Sequence, residues 1–260
     1  MRAPVRRRSA LAWATALLAA TGLAGCSWLP RTALVPLPTV RDAGACGPAD
    51  TLIVLLPGRG MALDELSSEG FIETFRAAGL RADLVRADAH MGYYKDRSVV
   101  DRLHVDVIAP ARAQGYRHIW LAGISLGGLG ALLYADEHPE EVDGLLLIAP
   151  YLGEPQTAAA VAAQGGPGRW RPPDQTDDAI GVRAWTCLQR YVGPGAVRTP
   201  LYLAFGVGDR LAPTHRVLAP ALPPQRVLTA PGGHDWPAWR PLWQRLLAQA
   251  PLPRCSATAP

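Results

Sequence analysis

Ser125 lies in a segment whose residue types and spacing suit nucleophilic chemistry. The segment Gly123 to Gly127 reads Gly-Ile-Ser-Leu-Gly. An apolar run typical of a strand, His118–Ala122, precedes this pattern, and a stretch with helical spacing, Leu126–His138, follows it. A serine on a sharp turn between a strand and a helix faces the substrate, and the first N–H groups of the helix stabilise negative charge beside it. We therefore predict that Ser125 is a nucleophile.

His234 and Asp209 are the candidate partners of this nucleophile. His234 follows two glycines in a loop before the last helical stretch, and Asp209 follows Gly208 just after an apolar run. A histidine removes the proton of a nucleophilic serine, and a carboxylate holds the imidazole in the tautomer that this requires. We predict a triad of Ser125, Asp209 and His234.

Other aspartates and histidines fit these roles less well. Asp177 and Asp178 fall in a long segment between two strands rather than directly after a strand, and His90 lies in a loop after the second strand. Asp209 also has an alternative structural role as the cap of the next helix. The triad assignment therefore depends on where the strands end.

Short apolar runs alternate with helical stretches from residue 51 to residue 250. Runs that are apolar throughout are typical of strands buried on both faces, and their alternation with helices is typical of a parallel sheet. We predict an α/β domain with a mostly parallel central sheet and helices on both faces. The predicted strands are Thr51–Leu56, Ala82–Arg86, His118–Ala122, Gly144–Ala149, Leu201–Phe205 and Arg226–Thr229, and the predicted helices are Leu63–Ala78, Val99–Gln114, Leu126–His138, Thr214–Leu218 and Trp236–Gln249.

The Gly-X-Ser-X-Gly turn and the chain order Ser125, Asp209, His234 resemble the α/β-hydrolase family over about residues 51–250. The segment Gly232 to Trp236 is similar to the Gly-Gly-His-X-Trp endings of esterase-D-type and feruloyl-type esterases. The resemblance implies the α/β-hydrolase fold and a carboxylesterase-like serine hydrolase that cleaves small-molecule esters through an acyl-enzyme. It implies no metal or organic cofactor.

The same fold and triad serve several acyl-transfer reactions, because they do not determine the acyl group or its acceptor. A thioesterase, an acyltransferase or a peptidase therefore stays open as an alternative. A non-catalytic envelope lipoprotein that uses the scaffold to bind a ligand is an alternative of a different class, although all three triad residues are present.

The family resemblance also implies an oxyanion hole made of two backbone N–H groups. One belongs to the turn after the first strand, where Arg59 is the expected donor and Gly60 or Met61 is the alternative in register. The other is the N–H of Leu126, directly after the nucleophile. Pro57 stands where the family often has histidine, which leaves the register of this turn open.

Residues 153–199 interrupt the alternation of strands and helices. The segment contains a run of alanines, then Gly-Gly-Pro at 165–167, and then a helical stretch around Asp178–Tyr191. A lid or substrate-binding cap is one interpretation of an insertion of this length after a strand. A crossover helix with a loop is the other, and both stay open.

Residues 1–25 have the parts of an export signal, with four arginines at the start followed by the apolar run Ala10–Ala24. The sequence Leu-Ala-Gly-Cys at 23–26 resembles the lipobox of bacterial lipoproteins. That resemblance implies removal of the signal and lipidation of Cys26, which would anchor the protein to a membrane. Ser27 resembles the outer-membrane sorting signal, so we expect a lipid-anchored protein of the bacterial cell envelope that faces the periplasm. An ordinary cleavable signal is the alternative.

Residues 26–50 are rich in proline and have little periodicity, which predicts a lipidated tether ahead of the domain. A short edge strand around Ala33–Leu37 is expected within it. Residues 251–260 form a C-terminal tail after the last predicted helix.

The net charge of +4 belongs to the export signal. Four of the 26 Lys and Arg residues lie in residues 1–25, which hold no acidic residue, so residues 26–260 carry 22 basic and 22 acidic residues. A nucleic-acid-binding domain concentrates basic charge on its folded part. The balance argues against nucleic acid as a partner, and membrane attachment is expected to rest on lipid. The sequence does not indicate an oligomeric state.

Three cysteines remain after Cys26, and an odd number allows one disulfide at most. Cys46 precedes the first buried strand and Cys255 follows the last helix, so both are expected at one end of the sheet. We predict a Cys46–Cys255 disulfide, which leaves Cys187 free. No CxxC or HxxxH spacing indicates a metal site, and none is predicted.

Overall fold

A seven-stranded sheet organises the computed structural model, which describes residues 31–193 and 195–256. Its order is the first, third, second, fourth, fifth, sixth and seventh strand of the chain, with the first antiparallel to its neighbour and all other pairs parallel. This confirms the predicted mostly parallel sheet. The strands are β1 (Thr39–Asp42), β2 (Thr51–Leu56), β3 (Asp83–Ala87), β4 (His118–Ile124), β5 (Gly144–Ile148), β6 (Leu201–Gly206) and β7 (Val227–Ala230).

Helices connect the strands and cover both faces of the sheet. A π-helical turn, His104–Ile108, joins the fourth and fifth of them into one continuous helical stretch. The helices are α1 (Glu65–Ser68), α2 (Phe71–Ala77), α3 (Met91–Lys95), α4 (Val99–Leu103), α5 (Ala109–Ala113), α6 (Leu126–Glu137), α7 (Pro155–Ala163), α8 (Ala179–Gln189), α9 (Ala212–Leu218) and α10 (Trp236–Gln249).

The central strand β2 shows why its sequence is apolar throughout. Successive side chains of a strand point to opposite faces. Leu52, Val54 and Leu56 enter the apolar core on the face of the sheet that α6 covers. Ile53 and Leu55 enter a second core, on the face that α2 and α10 cover. Burial on both faces therefore removes the polar alternation that a half-exposed strand would need.

The edge strand lies at Thr39–Asp42, not around Ala33–Leu37, where the sequence analysis expected one. Pro36 and Pro38 have no N–H to donate to a neighbouring strand, so residues 33–38 cannot pair along their length. The hydroxyl of Tyr93 instead holds Leu34, at 3.0 Å from its nitrogen and 2.9 Å from its oxygen. The sheet thus begins within the segment predicted as a tether.

Two predicted helices are interrupted. The stretch Leu63–Ala78 contains α1 and α2, separated at Gly70, whose φ of 78° is left-handed and ends the first helix. The stretch Val99–Gln114 contains the π-helical turn. Pro110 has no N–H for the carbonyl of Asp106, so one α-helical hydrogen bond is missing there. Helices α3 and α7 have no counterpart among the predicted helices.

A buried ion pair ties the edge strand to β3 and to the segment just before α1. Arg86 of β3 donates to the carboxylate of Asp42 at 2.9 Å and to the carbonyl of Leu63 at 2.7 Å. Both charged side chains are less than a tenth exposed. Burial without a partner would be costly for either charge. Each of the two side chains therefore requires the other, and the Leu63 carbonyl satisfies a further N–H of Arg86.

The two ends of the described chain meet beside the sheet. Cys46 and Cys255 form the predicted disulfide, and Cys187 is a free buried cysteine. The N–H of Arg81 donates to Pro253 O, and the N–H of Cys255 donates to Gly79 O, each at 2.9 Å. The start of the C-terminal tail is therefore bonded to the segment between α2 and β3.

No helix within residues 31–193 and 195–256 has the length and apolar character needed to cross a bilayer. The predicted signal peptide, residues 1–25, and Cys26 lie outside the described residues.

Candidate active site

Ser125 occupies a strained turn between β4 and α6. Its backbone has φ 52° and ψ −111°, a conformation that costs energy for any residue with a Cβ. A Cβ on Gly123 would lie 2.2 Å from Gly127 O, and one on Gly127 would lie 2.2 Å from Leu56 O. Only glycine at both positions allows the turn to close this tightly beside β2, which accounts for the Gly-X-Ser-X-Gly pattern.

His234 bridges Ser125 and Asp209 through its two ring nitrogens. The Ser125 Oγ lies 2.9 Å from His234 Nε2, and the Asp209 Oδ2 lies 2.8 Å from His234 Nδ1. Since a carboxylate only accepts, Nδ1 carries the proton that it donates to Asp209, and Nε2 is then free to accept from the serine hydroxyl. The structure thus brings the three predicted residues together as one hydrogen-bonded chain.

Asp209 is held as an anion in a buried position. Burial opposes its ionisation, but the hydrogen bonds from His234 and from the N–H of Leu211, the latter at 2.7 Å, outweigh that effect and lower its pKa. Its side chain is fully buried, while His234 is 13% exposed. A buried negative charge at Nδ1 stabilises the imidazolium that forms when His234 takes a proton.

The rival candidates Asp178 and His90 hydrogen-bond to other groups. Asp178 binds the backbone N–H of Glu154 and of Gly181 and the hydroxyl of Thr157, at 2.7, 3.0 and 2.7 Å. His90 is the N-cap of α3, where its Nδ1 accepts from Gly92 N–H. Both side chains therefore have structural contacts of their own.

The loop that carries His234 is shaped by close backbone contacts. Gly232 has φ 113°, and its carbonyl accepts from Gly208 N–H at 2.9 Å, which joins the loop to the one that carries Asp209. Trp239 of α10 meets the His234 ring edge to face, with centroids 5.1 Å apart. The ring orientation is thus supported by packing as well as by Asp209.

The turn after β2 lies beside the nucleophile because β2 and β4 are neighbours, with Leu56 paired to Gly123. Met61 N–H donates to Gly58 O at 3.2 Å and so closes this turn. Arg59 and Gly60 are exposed at its tip. Of the three candidate donors, Met61 N–H therefore has an acceptor within the turn, whereas Arg59 and Gly60 lie at its exposed tip.

Leu126 is the first residue of α6, and the N–H groups of a first helical turn have no acceptor within the helix. Its carbonyl accepts from the buried hydroxyl of Tyr94 at 3.0 Å. This contact ties α3 to the peptide group between Leu126 and Gly127, one residue after Ser125.

His215 is a buried neighbour of Asp209. In the sequence it was only one residue of a predicted helix, Thr214–Leu218. It is fully buried in α9 and packs on Phe205, with ring centroids 5.0 Å apart. Its Nε2–H donates to Pro150 O at 2.9 Å, and its Nδ1 has no partner among the described residues. Burial lowers the pKa of His215 to about 4, although the bond to Pro150 and the charge of Asp209 oppose the shift. The ring is therefore neutral at physiological pH.

Residues 153–193 and 195–199 contain two helices, α7 and α8. Asp178 joins the starts of the two helices through the contacts given above. Trp170 and Trp185 are buried in the core that also contains β2 and α6. The segment is thus packed onto the domain between β5 and β6.

Part of the sequence matches a known family. Residues 89–170 match the Hydrolase_4 model, described as serine aminopeptidase, S33. The matched segment contains Ser125 and α6 and ends before Asp209 and His234. Among curated proteins, no sequence matches this chain.

Solved structures of hydrolases are similar to this one at low sequence identity. A monoacylglycerol lipase from Paleococcus ferrophilus is 17% identical with a TM-score of 0.54, over 82% of this chain and 99% of that one. Est1E from Butyrivibrio proteoclasticus is 17% identical with a TM-score of 0.57, over 81% and 91%. An S-formylglutathione hydrolase from Staphylococcus aureus is 16% identical with a TM-score of 0.51, over 77% and 80%. The chain therefore has the α/β-hydrolase fold.

Proposed function

We propose that this protein is a serine hydrolase that cleaves carboxylic esters through an acyl-enzyme. The observation that carries the proposal is the hydrogen-bonded chain from Ser125 through His234 to Asp209, with separations of 2.9 and 2.8 Å. The strained turn at Ser125 and the matched hydrolase family support it. So does the likeness in fold to a monoacylglycerol lipase and to Est1E.

The reaction begins when Ser125 Oγ attacks the ester carbonyl and His234 Nε2 takes the serine proton. Asp209 stabilises the imidazolium through Nδ1. The N–H groups of Leu126 and Arg59, with Gly60 as the alternative, bind the negative oxygen of the tetrahedral intermediate. His234 then protonates the leaving alcohol as the acyl-enzyme forms.

Water completes the cycle. His234 removes a proton from the water, which attacks the acyl-enzyme, and the collapse of the second intermediate releases the acid and restores Ser125. Cleavage of a thioester or a peptide, or transfer of the acyl group to an amine, would use the same residues. Assays must therefore identify the leaving group and the acceptor.

A fluorophosphonate probe and a series of p-nitrophenyl esters from acetate to long acyl chains test the proposal. We expect the probe to label Ser125, and Ser125→Ala to remove both labelling and turnover. Ser68→Ala is the control, because Ser68 is an exposed serine whose hydroxyl donates to Glu65 O in its own helical turn. Unchanged turnover in Ser125→Ala would remove the nucleophile assignment. A folded wild-type protein that resists the probe would favour a non-catalytic ligand-binding role.

We further propose that the enzyme is anchored in the bacterial cell envelope by lipid on Cys26. The lipobox-like sequence at 23–26 and the absence of excess basic charge after residue 25 support this. Labelled palmitate should be incorporated into the wild type and not into Cys26→Ala, which should leave the membrane fraction. Ser27→Asp should keep the label and change the membrane in which the protein is found. An unchanged label in Cys26→Ala would refute the anchor.

A further inference from the structure

His104, His138 and Glu141 form a cluster at the opposite end of α6 from Ser125. One nitrogen of each imidazole and one carboxylate oxygen lie within 4.8 Å of one another. The cluster is separated from the nucleophile by the 12 residues of α6, a distance of about 18 Å. It is therefore independent of the triad.

Three irregular pieces of backbone bring these side chains together. His104 begins the π-helical turn between α4 and α5, His138 follows the end of α6, and Glu141 ends the 3₁₀ turn Pro139–Glu141. The two imidazole rings lie parallel, at 6° to each other and 4.6 Å between centroids. The His104 Nδ1 is 3.3 Å from Glu141 Oε2.

The geometry points to a site for one divalent transition-metal ion. We propose that His104, His138 and Glu141 bind Zn²⁺ or a similar ion, with water as the fourth ligand. Two imidazoles and a carboxylate are donors that zinc accepts, whereas Mg²⁺ and Ca²⁺ prefer oxygen alone.

The distance between one imidazole and the carboxylate fits such a site, whereas the two stacked imidazoles must first separate, because a bound ion lies in the plane of each ring. Zinc bonds of about 2.1 Å in a tetrahedron place two ligand atoms about 3.4 Å apart. His104 and Glu141 already have a separation of 3.3 Å. The His138 ring must turn out of its stack on His104 and approach these atoms, and the side chains of the cluster are half-buried, which leaves room for that rotation.

Tyr134 supports the carboxylate from inside the protein. Its buried hydroxyl donates to Glu141 Oε2 and lies 3.1 Å from His104 Nδ1. Arg112 faces the same turn, but its guanidinium donates to the carbonyl of Glu141 at 2.8 Å and leaves the carboxylate to the cluster. With a metal bound, the Tyr134 hydroxyl would keep its bond to Glu141 and fix the orientation of that ligand.

The site would link the π-helical turn to the end of α6 and so stabilise the folded state, because an ion that binds only the folded chain shifts the unfolding equilibrium. The test is calorimetric titration of Zn²⁺ into tag-free protein, stripped of metal with EDTA, at pH 7.5. We expect one saturable site and a melting temperature that rises with Zn²⁺. Co²⁺ in the same protein should give the visible absorption of a tetrahedral complex.

Single substitutions locate the site. His104→Ala, His138→Ala and Glu141→Gln should each weaken Zn²⁺ binding more than about tenfold, since loss of even a supporting contact to a metal ligand costs that much. Glu141→Gln keeps the side-chain shape, so it remains informative if an alanine variant unfolds. His118→Ala is the matched control, because His118 pairs with Asp143 at 3.1 Å in a surface contact outside the cluster.

The proposal is overturned if Zn²⁺ shows no saturable binding or if the three ligand variants bind as the wild type does. Loss of binding in His118→Ala would also overturn it. Ester turnover should be the same with and without Zn²⁺, which keeps this test separate from that of the proposed hydrolase activity.

Discussion

His215 holds the peptide group that supports the nucleophile turn, and its replacement should show how much that support contributes. The carbonyl of Pro150 and the N–H of Tyr151 belong to one peptide group. His215 Nε2–H binds the carbonyl at 2.9 Å, and the N–H donates to Ser125 O, also at 2.9 Å. One peptide is thus held from both sides, next to Ala149 with its positive φ of 47°.

His215→Leu removes the donor and leaves a buried carbonyl without a partner, whereas His215→Gln places an amide N–H near the position of Nε2. An unsatisfied buried carbonyl costs about 1–3 kcal/mol. For a domain of this size, each kcal/mol lowers the melting temperature by roughly 2–4 °C. We therefore expect the leucine variant to melt several degrees below wild type and the glutamine variant to lie between them.

Turnover separates a positioning role from a merely structural one. If the peptide loses its orientation, the Ser125 backbone loses a hydrogen bond, and kcat should fall in His215→Leu with KM little changed. Each 1.4 kcal/mol lost from the transition state is about a tenfold loss in rate. A kcat in the folded leucine variant equal to that of wild type would refute the positioning role.

The same residue predicts how stability depends on pH. The unfolded chain binds the His215 proton near its ordinary pKa of 6.5, whereas burial lowers the pKa of the folded state to about 4. Between these values the unfolded state binds more protons, so stability falls as pH is lowered, by roughly 3 kcal/mol in total. His215→Gln should lack this loss of stability. Asp209 contributes to the pH dependence of stability only at still lower pH, because its pKa in the folded state lies below its ordinary value. Urea midpoints from pH 7 to pH 4 that run parallel in wild type and His215→Gln would refute the argument.

Three further predictions concern the triad and the packing of the chain ends. Asp209→Asn should lower kcat by about 10³–10⁴-fold, because the amide stabilises the wrong tautomer of the triad histidine; steady-state kinetics with intact folding by circular dichroism checks this, and near-normal turnover would point to another acid. Replacing Cys46 and Cys255 by serine should lower the free energy of unfolding by about 2–5 kcal/mol, measured by calorimetry against the oxidised wild type. In dithiothreitol, which reduces the wild type, the difference should vanish. Arg86→Met leaves the buried Asp42 with the more exposed Arg76 at 3.1 Å, so it should cost less than the roughly 3–5 kcal/mol of an uncompensated buried charge, measured by urea unfolding; a midpoint equal to wild type would mean that the pair contributes no net stability.

The order of elements was the most predictable property of the fold. In a parallel sheet the carboxyl ends of all strands lie at one edge, so residues placed just after β4, β6 and β7 must lie near one another. That is why Ser125, Asp209 and His234 could be proposed as a group although Ser125 and His234 are separated by 109 positions in sequence. Gly123 and Gly127 also made the turn at Ser125 predictable from local sequence, because the close backbone contacts of this turn leave no room for a Cβ.

Element boundaries were less predictable where proline or glycine competes with periodicity. The apolar residues of 33–37 suggested a strand, but the missing N–H groups of Pro36 and Pro38 shift pairing to Thr39–Asp42, where side chains are mostly exposed. An exposed edge strand has no apolar run by which to recognise it. In the same way Gly70 divides a stretch whose apolar residues continue on both sides.

The residues that were missed share a physical cause: their partners are set by tertiary structure and not by local pattern. His215 acts on Pro150, 65 positions earlier, and nothing around either residue indicates that α9 packs against the end of β5. His104 meets His138 and Glu141 because the π-helical turn that begins at His104 packs beside the end of α6 and the 3₁₀ turn after it. Simple motif spacing cannot find such pairs, since the distance in sequence carries no information about them. The hydrogen-bonding requirements of buried groups do carry such information. A buried imidazole and a buried carbonyl each require a partner, and the His215 imidazole and the Pro150 carbonyl are partners of each other.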